Sequence, residues 1–139
     1  MSSHKIDGSL SFRYYYDLAR AEDFYGRVLG LTKVVDQGYA KIFQIRPHAF
    51  LGIVDSEKGT LKPSADKPII TAFVMAEASE VDKWYTHLQA QGVTIFKPLK
   101  QSDAIGVYGF MALDPEGYVL EFEHFMQTER NEAIRSALR

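Results

Sequence analysis

Along the chain, short apolar or alternating stretches surround two longer segments of helical period. The first stretch is Leu10–Tyr16; Leu31–Val35, Ala40–Ile45 and Ala49–Val54 follow the first helical segment. Pro68–Met75 precedes the second helical segment, and Val93–Phe96, Val107–Leu113 and Tyr118–Phe125 follow it. Their period of two predicts strands. Helices are predicted over Leu18–Leu29 and Ser79–Gln91. Asp17 stands before the first, and Ser79 and Glu80 open the second, where an acidic or capping group meets unpaired N–H groups and the positive dipole end. Gly30 and Gly92 close them, at a position that favours a left-handed backbone. Asp36-Gln-Gly38, Arg46-Pro-His48 and Asp114-Pro-Glu-Gly117 supply turns, the last with Pro to set φ and Gly to take a positive φ.

The chain also resembles itself. Asp23-Phe-Tyr-Gly-Arg-Val-Leu-Gly-Leu31 recurs in altered form as Lys83-Trp-Tyr-Thr-His-Leu-Gln-Ala-Gln-Gly-Val93, each with paired aromatics at the start and a Gly before an apolar residue at the end. Each half therefore reads β-α-β-β-β, an α+β pattern. One helix covers one face of a four-stranded sheet, so neither half is expected to be stable alone. Residues 1–139 are read as one domain: a module over about 6–55, a linker over 56–67, a module over about 68–125 and a C-terminal helix over 126–139. Side by side, the two modules should form a curved mixed sheet with helices outside and a concave cleft. Ile134 and Leu138, four apart, suit an amphipathic tail helix that packs on its own domain or, in the sharper reading, meets a second subunit.

Composition narrows the function. The chain has 139 residues, of which 46% are hydrophobic and 24% charged, which suits a soluble globular domain rather than a disordered or fibrous chain. Sixteen Lys and Arg against 18 Asp and Glu leave a net charge of −2, so no basic surplus exists to neutralise nucleic-acid phosphates. With no cysteine, disulfides, thiolate metal sites and a Cys nucleophile are excluded. No stretch approaches the ~18 apolar residues of a membrane span, and Met1–Gly8 lacks the apolar run of a signal peptide. A cytoplasmic protein that binds neither nucleic acid nor membrane is expected.

The doubled pattern, Asp17-Leu18 leading to Asp23-Phe-Tyr25, Leu29-Gly-Leu31 and the late Asp114-Pro-Glu-Gly-Tyr-Val-Leu-Glu121 together resemble the vicinal oxygen chelate superfamily, over roughly Ile6 to Phe125. That superfamily includes glyoxalase I, extradiol dioxygenases, fosfomycin-inactivating enzymes and bleomycin-resistance proteins. The resemblance implies a concave face where metal-dependent members hold a divalent ion, with about one His, Glu or Gln from the first and last strand of each half. Glu121 matches the final ligand position. The internal repeat places Gly52 at its counterpart, Ile70 or Thr71 stands on the strand opening the second half, and Leu10 or, in a register shifted by one, Ser9 stands on the first strand. Three of four positions lack a donor, so no metal and no cofactor are expected.

What remains is a cleft wall of aromatic and polar residues. The apolar alternation Leu10, Phe12, Tyr14, Tyr16 predicts that these face the helices and that Arg13 and Tyr15 face the cleft. His48 and Phe50 are expected on the cleft wall with Glu121, and Tyr108 or Phe110 joins them depending on register. Arg13 pairs internally with Glu121 in one reading and, with Arg46 as an alternative, forks a ligand carboxylate in the other. The expected function is metal-independent binding of a small aromatic or amphiphilic molecule by a glyoxalase- or bleomycin-resistance-like homodimer. The alternative is a metal-dependent lyase, isomerase or dioxygenase. A third reading is metal-free catalysis with Glu121 or His48 as general base. No catalytic residue is assigned by the sequence.

Overall fold

The computed structural model describes residues 4–139, and the chain divides into two compact units, Met1–Asp66 and Lys67–Arg139. In the first, β1 (Ser9–Tyr15) leads into α1 (Leu18–Asp23), and β2 (Thr32–Asp36), β3 (Ala40–Arg46) and β4 (Ala49–Asp55) follow. The sheet order is β1-β4-β3-β2, with β1 parallel to β4 and the other pairs antiparallel. The second unit repeats this plan with β5 (Ile70–Val74), α2 (Ala78–Ala90), β6 (Ile95–Ser102), β7 (Val107–Leu113) and β8 (Val119–Phe125), in the order β5-β8-β7-β6. A parallel first and last strand requires a crossover, and in each unit the helix is that crossover. The doubled βαβββ reading therefore holds, with one four-stranded mixed sheet in each unit.

The helix ends follow their local chemistry. The Asp17 side chain accepts a hydrogen bond from the Arg20 backbone N–H, 3.1 Å away, and caps α1. Beyond Asp23 the helix widens into a π-helical turn over Phe24–Val28, and the Leu29 N–H reaches back five residues to the Phe24 carbonyl. Gly30 and Gly92 take φ of 73° and 75°, as predicted for the residues closing the helices. At α2 the residue before the helix is Glu77, which makes no side-chain cap, and Ser79 and Glu80 lie inside the first turn. Asp114 Oδ1 accepts from the Glu116 and Tyr118 backbone N–H groups, folding the Asp-Pro-Glu-Gly turn.

In the first unit the helix-facing residues surround Tyr15, which is fully buried. Its hydroxyl donates to the Tyr25 hydroxyl at 3.1 Å, and Tyr25 packs in turn against Phe24 and Phe43. In the parallel ladder Arg13 is the partner of Ile53 and Tyr15 of Asp55, while Phe12 is the partner of Gly52 and Tyr14 of Val54. Parallel partners point to the same side, so Arg13 and Tyr15 lie on the helix side with Ile53. Leu10, Phe12 and Tyr14 lie on the other. The face expected for β1 is thus reversed. Alternation misled because the strand carries rings on both sides, and Leu10, Phe12 and Tyr16 are left 39%, 44% and 74% exposed.

The second core is a stack of rings. Phe122 lies parallel to Phe110 at 5.1 Å, and Phe73 and Trp84 of α2 stand against it at 5.2 and 5.3 Å. Tyr85 meets Phe110 edge-on at 4.8 Å. Val81 and Leu88 are the fully buried aliphatics of α2. Strand β6 is longer than the predicted Val93–Phe96 and runs through Pro98. It is the sheet's edge and breaks register between Lys97 and Lys100, the two circumstances in which a strand tolerates proline.

The tail is only partly helical: a 3-10 turn over Glu129–Asn131 and then α3 (Glu132–Ala137), rather than a helix over all of 126–139. Hydrogen bonds tie it to the second unit. The buried Asn131 Nδ2 donates to the Gly106 and Met126 carbonyls, Arg130 to Ala104, and Arg135 to Phe125. This accords with the reading in which the tail packs on its own domain.

Candidate functional site

In each unit, the sheet face turned away from the helix is where the sequence placed its chemistry. On the first unit's sheet that face carries Leu10 and Phe12 from β1, and Phe50 and Gly52 from β4, with Phe50 paired to Leu10 in the ladder. Phe50 is half-buried there, as expected. Arg13 and Tyr15 are on the opposite side, and the face assigned to them is corrected. Arg13 is 4% exposed, and its Nε and Nη1 have no hydrogen-bond partner among the described residues. Arg13 points towards the helix of its own sheet, and Glu121 away from the helix of its own. His48 sits in the exposed β3–β4 turn with φ of 72°, and its carbonyl accepts from the Ser9 N–H at 2.8 Å. It stands at the end of the sheet rather than on its wall.

On the second unit's sheet the corresponding face carries Ile70 and Ala72 from β5, Val107, Gly109 and Met111 from β7, and Glu121 and Glu123 from β8. Tyr108 and Phe110 alternate with these and face α2, which settles the register left open by the sequence. The Tyr108 hydroxyl donates to the Asp82 carboxylate of α2, which pushes the phenol up to about 12. His124 lies on the same side as Tyr108, its Nδ1 3.1 Å from the Met75 carbonyl. His87 is exposed on α2, as predicted.

Glu121 and Glu123 are two apart on one strand and share a face. Glu121 is half-buried; Glu123 is 6% exposed and lies opposite Gly109 in the ladder. A Cβ on Gly109 would stand 2.5 Å from the Phe122 carbonyl oxygen and 3.0 Å from Glu123 Cβ, so only glycine lets the two strands come this close. Burial, and then the hydrogen bond and negative charge of Glu121, push the Glu123 carboxyl up to about 8.

Beside Glu121 the sheet face forms a pocket of about 140 Å³. Val107, Gly109 and Met111 form its floor, with Glu121 at one side and Lys97, Lys100 and Ser102 of β6 at the other. The sequence reading missed these three β6 residues because it ended the strand at Phe96. The signal was present: Lys97, Lys100 and Ser102 are compatible with one face of an edge strand once the bulge around Pro98 is allowed.

The residues do not fit the superfamily's divalent ion. Oxygen and nitrogen donors are missing at Leu10, Phe12 and Gly52 on one sheet, and at Ile70 and Ala72 on the other. Thr71, the alternative on β5, pairs with Leu120 and lies on the helix side. A Cβ on Gly52 would overlap the Phe12 ring, so that position lacks both a donor and the room for one. Among the described residues no three His, Cys, Asp or Glu side chains converge. Glu121 and Glu123 are hard donors, but two carboxylates from one strand do not make the family's ligand set.

Residues 12–122 match the family model described as the Glyoxalase/Bleomycin resistance protein/Dioxygenase superfamily. The chain belongs to this superfamily. Among solved structures, the glyoxalase/bleomycin resistance protein/dioxygenase from Nocardioides is similar with a TM-score of 0.72 and 19% identity, over 91% of this chain and 87% of that one. Lactoylglutathione lyase from Agrobacterium tumefaciens is similar with a TM-score of 0.69 and 23% identity, over 88% and 94%. TioX from Micromonospora sp. ML1 is similar with a TM-score of 0.68 and 18% identity, over 86% and 98%. At these identities the likeness establishes the shared fold. No curated protein matches the chain. Among the described residues, no helix is long and apolar enough to cross a membrane.

Proposed function

We propose that this glyoxalase/bleomycin-resistance-superfamily protein binds a small aromatic or amphiphilic molecule without the metal ion used by other members. One observation carries the reading. Where the superfamily would need a donor on β4, Gly52 stands beneath the Phe12 ring, and no Glu, His or Gln could enter without displacing it. Glu121 stands at one side of an apolar floor of Val107 and Met111, with Lys97, Lys100 and Ser102 at the other. A few oriented polar groups in an apolar setting are the common design of a small-molecule site.

The test is a screen of small aromatic ligands by ligand-observed NMR, repeated after exhaustive dialysis against EDTA. Binding should survive chelation unchanged. Protein purified without chelator should carry far less than one equivalent of Zn, Mn, Fe or Ni. Near-stoichiometric metal, with binding abolished by EDTA, would overturn the proposal and favour a metal-dependent lyase, isomerase or dioxygenase.

A further inference from the structure

We infer that the pocket between β6 and β8 takes an apolar anion, a carboxylate or sulfonate on a ring-sized body, with Lys97 and Lys100 as its anchors. The inference rests on the proposed small-molecule reading and specifies the class of molecule. Its physical basis is the distribution of charge across one sheet face. Lys33, Lys41, Lys83 and Arg27 all sit within 3.3 Å of a carboxylate oxygen. Lys97 and Lys100, like most of the chain's other basic side chains, have no carboxylate partner among the described residues, and what sets these two apart is that both line the pocket. The acidic group on the other side, Glu121, is hydrogen-bonded to Glu123. The lysines are therefore the disengaged charges of the site, and they flank a floor of Val107, Gly109 and Met111. Ser102 adds a neutral hydroxyl donor on the lysine side.

Size sets the second constraint. A volume of about 140 Å³ is close to the ~150 Å³ that admits a benzene ring in an apolar cavity. A single ring or a short branched chain fits, with its charged group at the mouth where the flexible lysine stems keep their ammonium groups hydrated. A cation would have to approach past two positive charges to reach a carboxylate already engaged.

Benzoate, benzamide and benzylammonium share one ring and differ in charge, so they are the probes. Each is titrated into protein carrying ¹³C-methyl methionine. Met111 lines the pocket, whereas Met75 and Met126 lie outside it and serve as internal references. Benzoate should shift the Met111 methyl while leaving the other two in place, and should bind roughly tenfold tighter than benzylammonium, the scale expected for two partly exposed charges. Lys97→Met with Lys100→Met should erase that preference. Should the double variant fail to fold, a salt titration of the unaltered protein gives a parallel readout: benzoate affinity should fall with added salt and benzamide affinity should stay level. Equal binding of the three probes, or tighter binding of benzylammonium, overturns the anion assignment and leaves the small-molecule reading in place. No Met111 shift with any probe overturns both.

Discussion

The reversed face of β1 makes a quantitative prediction, because the two possible registers place different side chains in the core. Tyr15 is 0% exposed and Phe12 is 44% exposed. Truncating a fully buried aromatic to alanine costs about 3–5 kcal/mol, from the lost transfer energy and the cavity left behind. At ~2.1 cal/mol/K of unfolding entropy per residue, a chain of 139 residues loses roughly 3–4 °C of Tm per kcal/mol. Tyr15→Ala should therefore lower Tm by roughly 10–17 °C. Phe12→Ala, which gives up a ring already about half in water, should cost less than about 2 kcal/mol. Tyr15→Phe isolates the hydroxyl: it leaves the Tyr25 hydroxyl without its 3.1 Å partner, and about 1 kcal/mol should be lost. Arg13→Met has the opposite sign. It removes a buried charge whose Nε and Nη1 have no acceptor, and about 1–3 kcal/mol of stability should be gained. Urea and thermal unfolding followed by circular dichroism measure all four. A mild Tyr15→Ala beside a severe Phe12→Ala would show that the alternation in the sequence, and not the ladder described here, sets the strand's register.

Two further predictions concern the second unit. The fold favours the protonated Glu123, raised from 4.5 to about 8 by burial and by Glu121. That contribution is complete below pH 4.5 and is lost as pH climbs to about 8, so urea stability should decline across this window and Glu123→Gln should flatten the decline. Asn131→Ala removes both side-chain donors to the Gly106 and Met126 carbonyls. It should cost about 1–3 kcal/mol and speed hydrogen exchange at the Gly106 amide, whereas unchanged exchange there would mean the tail does not hold the β6–β7 turn.

The elements were largely legible because each local signal acted alone. Asp17, Gly30, Gly92 and the Asp114-Pro-Glu-Gly117 turn work through backbone geometry within a few residues, and they fall where the pattern predicted. Glu121 was placed on the correct face because Leu120 and Phe122 beside it are plainly core. The β1 face depends instead on which of two aromatic rows meets a helix, and that is decided by the Tyr15–Tyr25 contact across ten residues of chain. Nothing in a strand with rings on both sides distinguishes the rows locally. Lys97 and Lys100 were missed for a different reason: Pro98 signals a break unless the strand is known to be an edge, and edge position is a property of the whole sheet. The π turn at Phe24–Val28 left no pattern of its own, since one extra residue per turn shifts the apolar face only slightly. The anchoring of the tail rests on Asn131, a residue more often found at turns and caps, and only its burial reveals it.

The ring over Gly52 bears on how this scaffold could change. A substitution at position 52 that supplied a carboxylate would have to push the Phe12 ring aside. Shrinking Phe12 first would open the space but bring no gain until the donor arrived. The two changes help only as a pair, and a route that must cross an unrewarded step acts as a ratchet. A designer wishing to install a metal here should alter both positions at once, and should expect neither single variant to foretell the double.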